Sequence, residues 1–251
     1  MNYVFLIPRT LWKILFMLNF ALGLIVLYPL FAIFLSRRKW FRYAFRLKKF
    51  WARWILLIPG IFISVKRESP AGELPQPAVY VANHSSYLDI VMSYLLIPKY
   101  YVFMGKQELD KAPLFRIFFR EMNILVDRAS NMASHRAFVK AGIEIERGNG
   151  VFLYPEGGIS SNGKLRNFKN GAFRLAIEKQ VPIVPITYLN NWRLLQNGGF
   201  FKAHGRPGIS RIIVHQPVPT AGLTENDLVS LRTKVREIIL NELEKYNHEN
   251  R

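Results

Sequence analysis

The chain has 251 residues, enough for one α/β domain with an appendage and few for two full domains. Half of its residues are hydrophobic and mean hydropathy is +0.08, high for a soluble protein and low for a polytopic one. Cysteine is absent, which excludes disulfides, thiolate catalysis and Cys-ligated metals. The formal net charge of +18 implies a polyanionic partner, and composition alone fits nucleic acid and an anionic membrane equally.

In chain order, the first feature is Ile14 to Ser36, which contains no charged residue and is long enough as a helix to cross a hydrocarbon core of about 30 Å. A signal peptide would have a shorter apolar region and a small-residue cleavage site. Neither is evident, so the segment is expected in the mature protein, with a buried core helix as the other reading. Arg37, Arg38, Lys39, Arg42, Arg46, Lys48, Lys49 and Arg53 follow, interleaved with Trp40, Phe41, Tyr43, Phe45, Phe50, Trp51 and Trp54. Cations near an anionic surface, mixed with aromatics that favour the interface, read as a cytoplasmic membrane-surface stretch. A second apolar run, Ile55 to Val65, is too short to span alone and carries Pro59 and Gly60. Two topologies fit: a single span with a basic flank, or a hairpin dipping into one leaflet, with Pro29 helping to break its first helix. The uncharged segment disfavours a nucleic-acid partner. Residues 1–66 are expected to be membrane-anchoring helices, 67–77 a Pro/Gly-rich linker, and 78–251 an α/β domain.

Beyond the linker, short apolar runs alternate with helix-length stretches. Strands are expected at Ala78–Ala82, Tyr100–Met104, Ile124–Val126, Val151–Tyr154, Ile183–Tyr188 and Arg211–His215. Helices are expected over Ser86–Leu96, Ser130–Arg147 and Gly171–Glu178, and at the C-terminus behind a capping-box-like Thr224 and Asp227. The fold class is α/β: a mixed, mostly parallel sheet flanked by helices, with an N-terminal membrane-inserted helical segment.

The sharpest chemical signal is Asn83-His84-Ser85-Ser86-Tyr87-Leu88-Asp89. His84 falls just past a predicted buried strand, where α/β proteins place reactive groups. A turn at Ser85-Ser86, with a helix starting near Tyr87, would bring Asp89 to one imidazole nitrogen and leave the other as a base. The plainer reading is a surface histidine and a helix-capping aspartate. A second apolar strand ends in Tyr154-Pro155-Glu156-Gly157-Gly158, followed by Ser160, Ser161, Asn162, Lys164, Arg166 and Lys169. Its glycines permit close backbone approach, and its cations could receive an anionic head group; an ordinary solvated turn is the alternative.

These blocks resemble the lysophosphatidic acid acyltransferase family of glycerolipid acyltransferases. That family carries N-H-x-x-x-x-D, K…P…(V/I)DR, F-P-E-G-T-R-S and V-P-(I/V)-x-P blocks in that order. This chain has NHSSYLD at Asn83–Asp89, Lys106 and Pro113 with VDR at Val126–Arg128, YPEGGIS at Tyr154–Ser160, and VPIVPI at Val181–Ile186. Ordered blocks are more specific than any one alone. The resemblance implies that His84 deprotonates an acceptor hydroxyl and that Asp89 orients it. It implies that Lys106, Arg128, Glu156, Gly157 and Gly158 hold the acceptor or its phosphate, and that Pro182 and Pro185 shape the acyl or core side. The implied reaction moves an acyl chain from acyl-CoA or acyl-carrier protein to 1-acylglycerol 3-phosphate, giving phosphatidic acid at the cytoplasmic face of a membrane. No metal, cofactor or covalent acyl-enzyme is implied, and a serine-hydrolase G-x-S-x-G elbow is missing. One departure bears on the substrate: the family's T-R after P-E-G is Gly158-Ile159 here. Arg116, Lys164 and Arg166 are candidates for the missing charge, and an acceptor without phosphate, such as an aminoacyl lysolipid, is the alternative. A non-catalytic membrane-binding protein is the rival from another class.

Overall fold

A computed structural model describes residues 6–69, 74–106, 114, 116–120, 122–126 and 130–250. Helix α1 (Leu6–Leu35) runs straight through Pro29, which therefore does not break it. A short 3-10 turn at Arg38–Trp40 reverses the chain into α2 (Phe41–Leu57). The two helices pack antiparallel: Trp12 Nε1 donates to the Pro59 carbonyl at 2.8 Å, Trp54 Nε1 donates to Asn19 Oδ1 at 2.7 Å, and Phe34 meets Tyr43 at the turn. Gly23 permits the close approach, because a Cβ there would lie 2.6 Å from the Trp51 indole nitrogen.

Gly60 ends α2 in the left-handed region at φ +74°, and the chain continues into β1 (Ile61–Arg67). The expected boundary at residue 66 therefore falls inside a strand. The run read as part of a membrane segment is an edge strand of the sheet. Its alternation was obscured because only Pro59 and Gly60 separate it from the apolar end of α2.

The remaining elements are β2 (Val79–Ala82), α3 (Leu88–Leu96), β3 (Tyr101–Lys106), α4 (Arg116–Arg120), β4 (Ile124–Val126), α5 (Asn131–Glu146), β5 (Gly150–Leu153), α6 (Gly171–Glu178), β6 (Ile183–Tyr188), α7 (Asn191–Leu194), β7 (Gly208–Val214) and α8 (Leu228–Glu249); they follow the expected alternation apart from the short helices α4 and α7, which the sequence did not announce. Ser130 caps α5 by accepting from Ala133 N, and Thr224 with Asp227 forms a capping box ahead of α8. The seven strands are ordered β1-β7-β6-β2-β5-β3-β4, and every neighbouring pair is parallel except β6–β7.

Side chains alternate across the sheet with period two. Tyr80, Tyr101, Phe103, Phe152 and Tyr188 face the layer of α1, α2 and α3. Val79, Val81, Val102, Val151 and Ile183 face α5, α6 and α8. Both faces are covered, so the strands read as continuous apolar runs.

The helical hairpin lies along this unit. Near the start of α1, Lys13 Nζ donates to the carbonyls of Phe200, at 2.6 Å, and Ala203. Further on, Phe31 packs edge-on against Phe118 at 4.8 Å, and Arg38, just past α1, pairs with Glu144 of α5. A 30-residue helix is about 45 Å long, so both ends of α1 are held to the same α/β unit. Its outer face exposes Ile7, Leu11, Leu18, Leu22, Ile25 and Ile33.

Candidate active site

Strand β2 lies at the centre of the sheet, and His84 follows its C-terminal end. The end of β2 is tied to β6 by Asn83, whose side chain donates to the Tyr188 carbonyl at 3.0 Å and accepts from Tyr188 N at 2.8 Å. That reciprocal pair continues the β2–β6 ladder beyond the last strand residue and fixes the exit of the chain.

The chain then turns, as the spacing requires, and α3 begins at Leu88. His84 Nδ1 lies 3.0 Å from Asp89 Oδ2. The same oxygen accepts from Ser85 N at 2.7 Å and Ser86 N at 2.8 Å, and Asp89 Oδ1 accepts from Asn191 Nδ2 at 2.7 Å. Asp89 is fully buried. Donors surround its carboxylate, so Nδ1 is the nitrogen that donates to it, and in the neutral imidazole the lone pair is left on Nε2. The ring is held flat against Tyr154, with centroids 3.9 Å apart and planes 11° apart. His84 is 7% exposed, so the imidazole is enclosed yet reachable.

Asn191 and its support were missed by the sequence reading. Asn191 is fully buried in the single turn of α7, and Ser210 Oγ of β7 donates to its Oδ1 at 2.5 Å. That bond makes Oδ1 the acceptor and Nδ2 the donor, which aims the amide at Asp89. Tyr188 closes the arrangement by donating its hydroxyl to the Asp89 carbonyl at 2.9 Å.

The Tyr154–Gly158 segment leaves β5 beside His84. Glu156 is buried and binds backbone through both oxygens: Oε1 accepts from His84 N at 2.7 Å and Oε2 from Arg166 N at 2.9 Å. Burial pushes its carboxyl up to about 7, against the pull of those two amides. Glu156 thus clamps the His84 loop to the loop after Gly158. Gly157 takes φ +79°, which a side chain would strain. A Cβ at Gly158 would stand 3.5 Å from Arg166 Nη1, so an arginine does lie beside the turn where the family's T-R is replaced. Ser160 N donates to the His84 carbonyl at 2.8 Å, a further tie between the loops.

Lys106 is the last residue of β3, whose C-terminal end lies at the same edge of the sheet; its side chain, Arg128 and Pro113 lie outside the described residues. Pro185 is buried within β6, opposite Val81, on the core side. Among the described residues, no three His, Cys, Asp or Glu side chains gather as a metal set.

The Acyltransferase family model matches residues 63–189, just over half of the chain, and the protein belongs to that family. It is 29% identical over 196 residues to the chloroplastic 1-acyl-sn-glycerol-3-phosphate acyltransferase LPAT1 of Arabidopsis thaliana, covering 78% of this chain and 53% of that one. It is 33% identical over 174 residues to the human 1-acyl-sn-glycerol-3-phosphate acyltransferase alpha, covering 66% of this chain and 58% of that one. The chain therefore spans little more than half the length of these relatives. The crystal structure of the 1-acyl-sn-glycerophosphate (LPA) acyltransferase PlsC from Thermotoga maritima shares the fold, with a TM-score of 0.79 over 96% of this chain and 97% of that one at 21% identity.

Proposed function

We propose that the protein transfers an acyl chain from a thioester donor, acyl-CoA or acyl-carrier protein, to the free hydroxyl of 1-acylglycerol 3-phosphate, giving phosphatidic acid. The observation that carries this reading is the His84 Nδ1–Asp89 Oδ2 pair at 3.0 Å, which supports the imidazole as a base at the end of the central strand. His84 Nε2 takes the hydroxyl proton as the oxygen attacks the thioester carbonyl. The C–S bond then breaks, and the imidazolium returns the proton to the leaving thiolate. Asp89 holds the ring and balances its transient charge. The names of the matched relatives support the acceptor, and Arg166 beside Gly158 supplies a cation for its phosphate.

The hairpin supports a membrane location. α1 is long and apolar enough to cross a membrane, but both its ends dock on one unit and its outer face is apolar. We read it as lying in one leaflet, which would bring a lipid acceptor to His84 from the bilayer side; the basic residues of the turn and α2 support a cytoplasmic orientation of the active unit. A second reading, a phosphate-free acceptor, rests on Ile159, which cannot bind phosphate through its side chain.

The test is purified protein with a labelled acyl donor and a panel of lysolipids, read by mass spectrometry. Transfer preferentially to lysophosphatidate is expected. Preference for a phosphate-free or aminoacyl lysolipid would replace the acceptor, and transfer to none would remove the enzymatic reading.

A further inference from the structure

The hairpin turn and the sheet meet at a second charged feature, far from His84. Gln76 precedes β2, Pro98–Tyr100 precede β3, and Arg147–Asn149 precede β5. These strands are parallel to one another, so all three segments sit at the edge of the sheet opposite the one that carries His84. They form one wall of a cleft of about 450 Å³, and α2 forms the other with Arg42, Arg46 and Lys49.

Several features set this cleft apart from an ordinary solvated helix face. Arg42, Arg46 and Lys49 repeat at helical spacing and meet Lys99 and Arg147 from two other segments, so the charge converges from separate parts of the chain. None of the lining residues is acidic. The nearby carboxylate of Glu144 is already engaged by Arg38, Arg147 and Asn149. Like charges lining one cleft repel one another, and a bound anion relieves that repulsion. Gln76 also lines the cleft; its amide donates to the Tyr100 carbonyl, while its Oε1 is buried without a hydrogen-bond partner. A ligand combining a phosphate with a hydroxyl would satisfy both the cations and this acceptor. Next to the cleft, α2 exposes Tyr43 and Phe50, and α1 exposes Ile33. Arg46 lies over the Tyr43 ring and Lys49 over the Phe45 ring, cation–aromatic pairs that suit a membrane interface.

We infer that this cleft is a discrete binding site for the phosphate head group of one anionic phospholipid, separate from the acceptor site and at the opposite edge of the sheet. The phosphate sits among Arg42, Arg46 and Arg147, a head-group hydroxyl reaches Gln76, and the acyl chains lie over the exposed apolar side of the hairpin. The inference rests on the membrane reading of the hairpin. The site itself is testable in detergent, where membrane attachment plays no part.

The experiment is native mass spectrometry of the full chain in a neutral detergent, titrated with phosphatidylglycerol, phosphatidylcholine, or glycerol 3-phosphate as the soluble phosphate. Variants are Arg42→Ala with Arg46→Ala and, as a control, Lys234→Ala with Lys245→Ala, which removes as much charge from α8. Expected is one saturable phosphatidylglycerol adduct per chain, kept by the control and weakened roughly tenfold to thirtyfold by the α2 pair, at about fivefold per cation. Circular dichroism checks that both double variants fold, and Gln76→Leu should weaken the same adduct without removing charge. Equal binding of phosphatidylcholine, equal loss in both double variants, or capture of glycerol 3-phosphate as tightly as the lipid would overturn the site. So would an acidic carrier protein that binds through Arg42 and Arg46 while the lipid adduct is unchanged.

Discussion

Asn191 donates its amide to Asp89 Oδ1 at 2.7 Å across a separation of 102 residues, and Ser210 fixes which end of that amide faces the carboxylate. The His84 imidazole is thus held by a relay of three buried side chains from α3, α7 and β7.

Asn191→Ala should lower kcat far more than it raises KM. A donor removed from a buried carboxylate costs about 1.5–3 kcal/mol, which corresponds to roughly tenfold to hundredfold if it falls on the transition state. Ser210→Ala should act in the same direction and more weakly, because Asn191 can still donate. Steady-state kinetics with a pH profile checks this: a shifted acid limb with unchanged fold is expected, and a pure KM effect would place Asn191 in acceptor binding instead.

Arg166→Ala should raise the KM for lysophosphatidate roughly tenfold or more, with kcat less affected, since a charged hydrogen bond to phosphate is lost. The clamp to Glu156 uses the Arg166 backbone and survives the change. Ile159→Arg in that background should restore much of the loss, and Lys106→Ala and Arg128→Ala should raise the same KM. An unchanged KM in Arg166→Ala would favour the phosphate-free acceptor.

The Glu156 carboxyl gives stability a definite pH dependence. Unfolded, it loses its proton near 4.5; folded, it holds the proton until about 7. The folded state therefore binds more protons between those values, and stability falls as pH rises through that window, by at most about 3 kcal/mol. Thermal melts of wild type and Glu156→Gln across pH 4.5 to 8 read the effect. The wild-type advantage should shrink as pH rises to 7 and then level off; a growing advantage would contradict the sign.

Lys48 is buried on α2 with no hydrogen-bond partner for Nζ, which lies over the rings of Tyr94, at 5.3 Å, and Phe118, at 5.1 Å. Ring contacts offset only part of the cost of burying an ammonium. Lys48→Met keeps the length and removes the charge, so Tm should rise by a few degrees in detergent. A fall in Tm would show that the ammonium stabilises the hairpin.

The positions of the segments that carry the site were legible locally, for a physical reason: His84, Asp89, Glu156 and Gly157 follow strands, and strand ends are visible as apolar runs that stop. Their roles were implied by the resemblance of the ordered blocks, since the spacing alone left a plainer reading open for each segment. Asn191 and Ser210 were invisible because their partners are brought together only by the β6–β7 pairing, and an Asn-Asn-Trp turn has no local signal of its own. The strand Ile61–Arg67 was hidden for the same reason: it pairs with Gly208–Val214, far along the chain, and directly follows an apolar helix. The antiparallel hairpin was one of two topologies left open, and the contacts of Lys13, Asn19 and Arg38 that hold it are long-range.

The most direct measurement of the central claim is the rate of acyl transfer to lysophosphatidate by His84→Ala, with fold and vesicle binding checked on the same preparation. Folding and membrane attachment should be intact, with turnover reduced by roughly 10² to 10⁴, the loss expected when a general base is removed. Turnover near that of the wild type would contradict the claim.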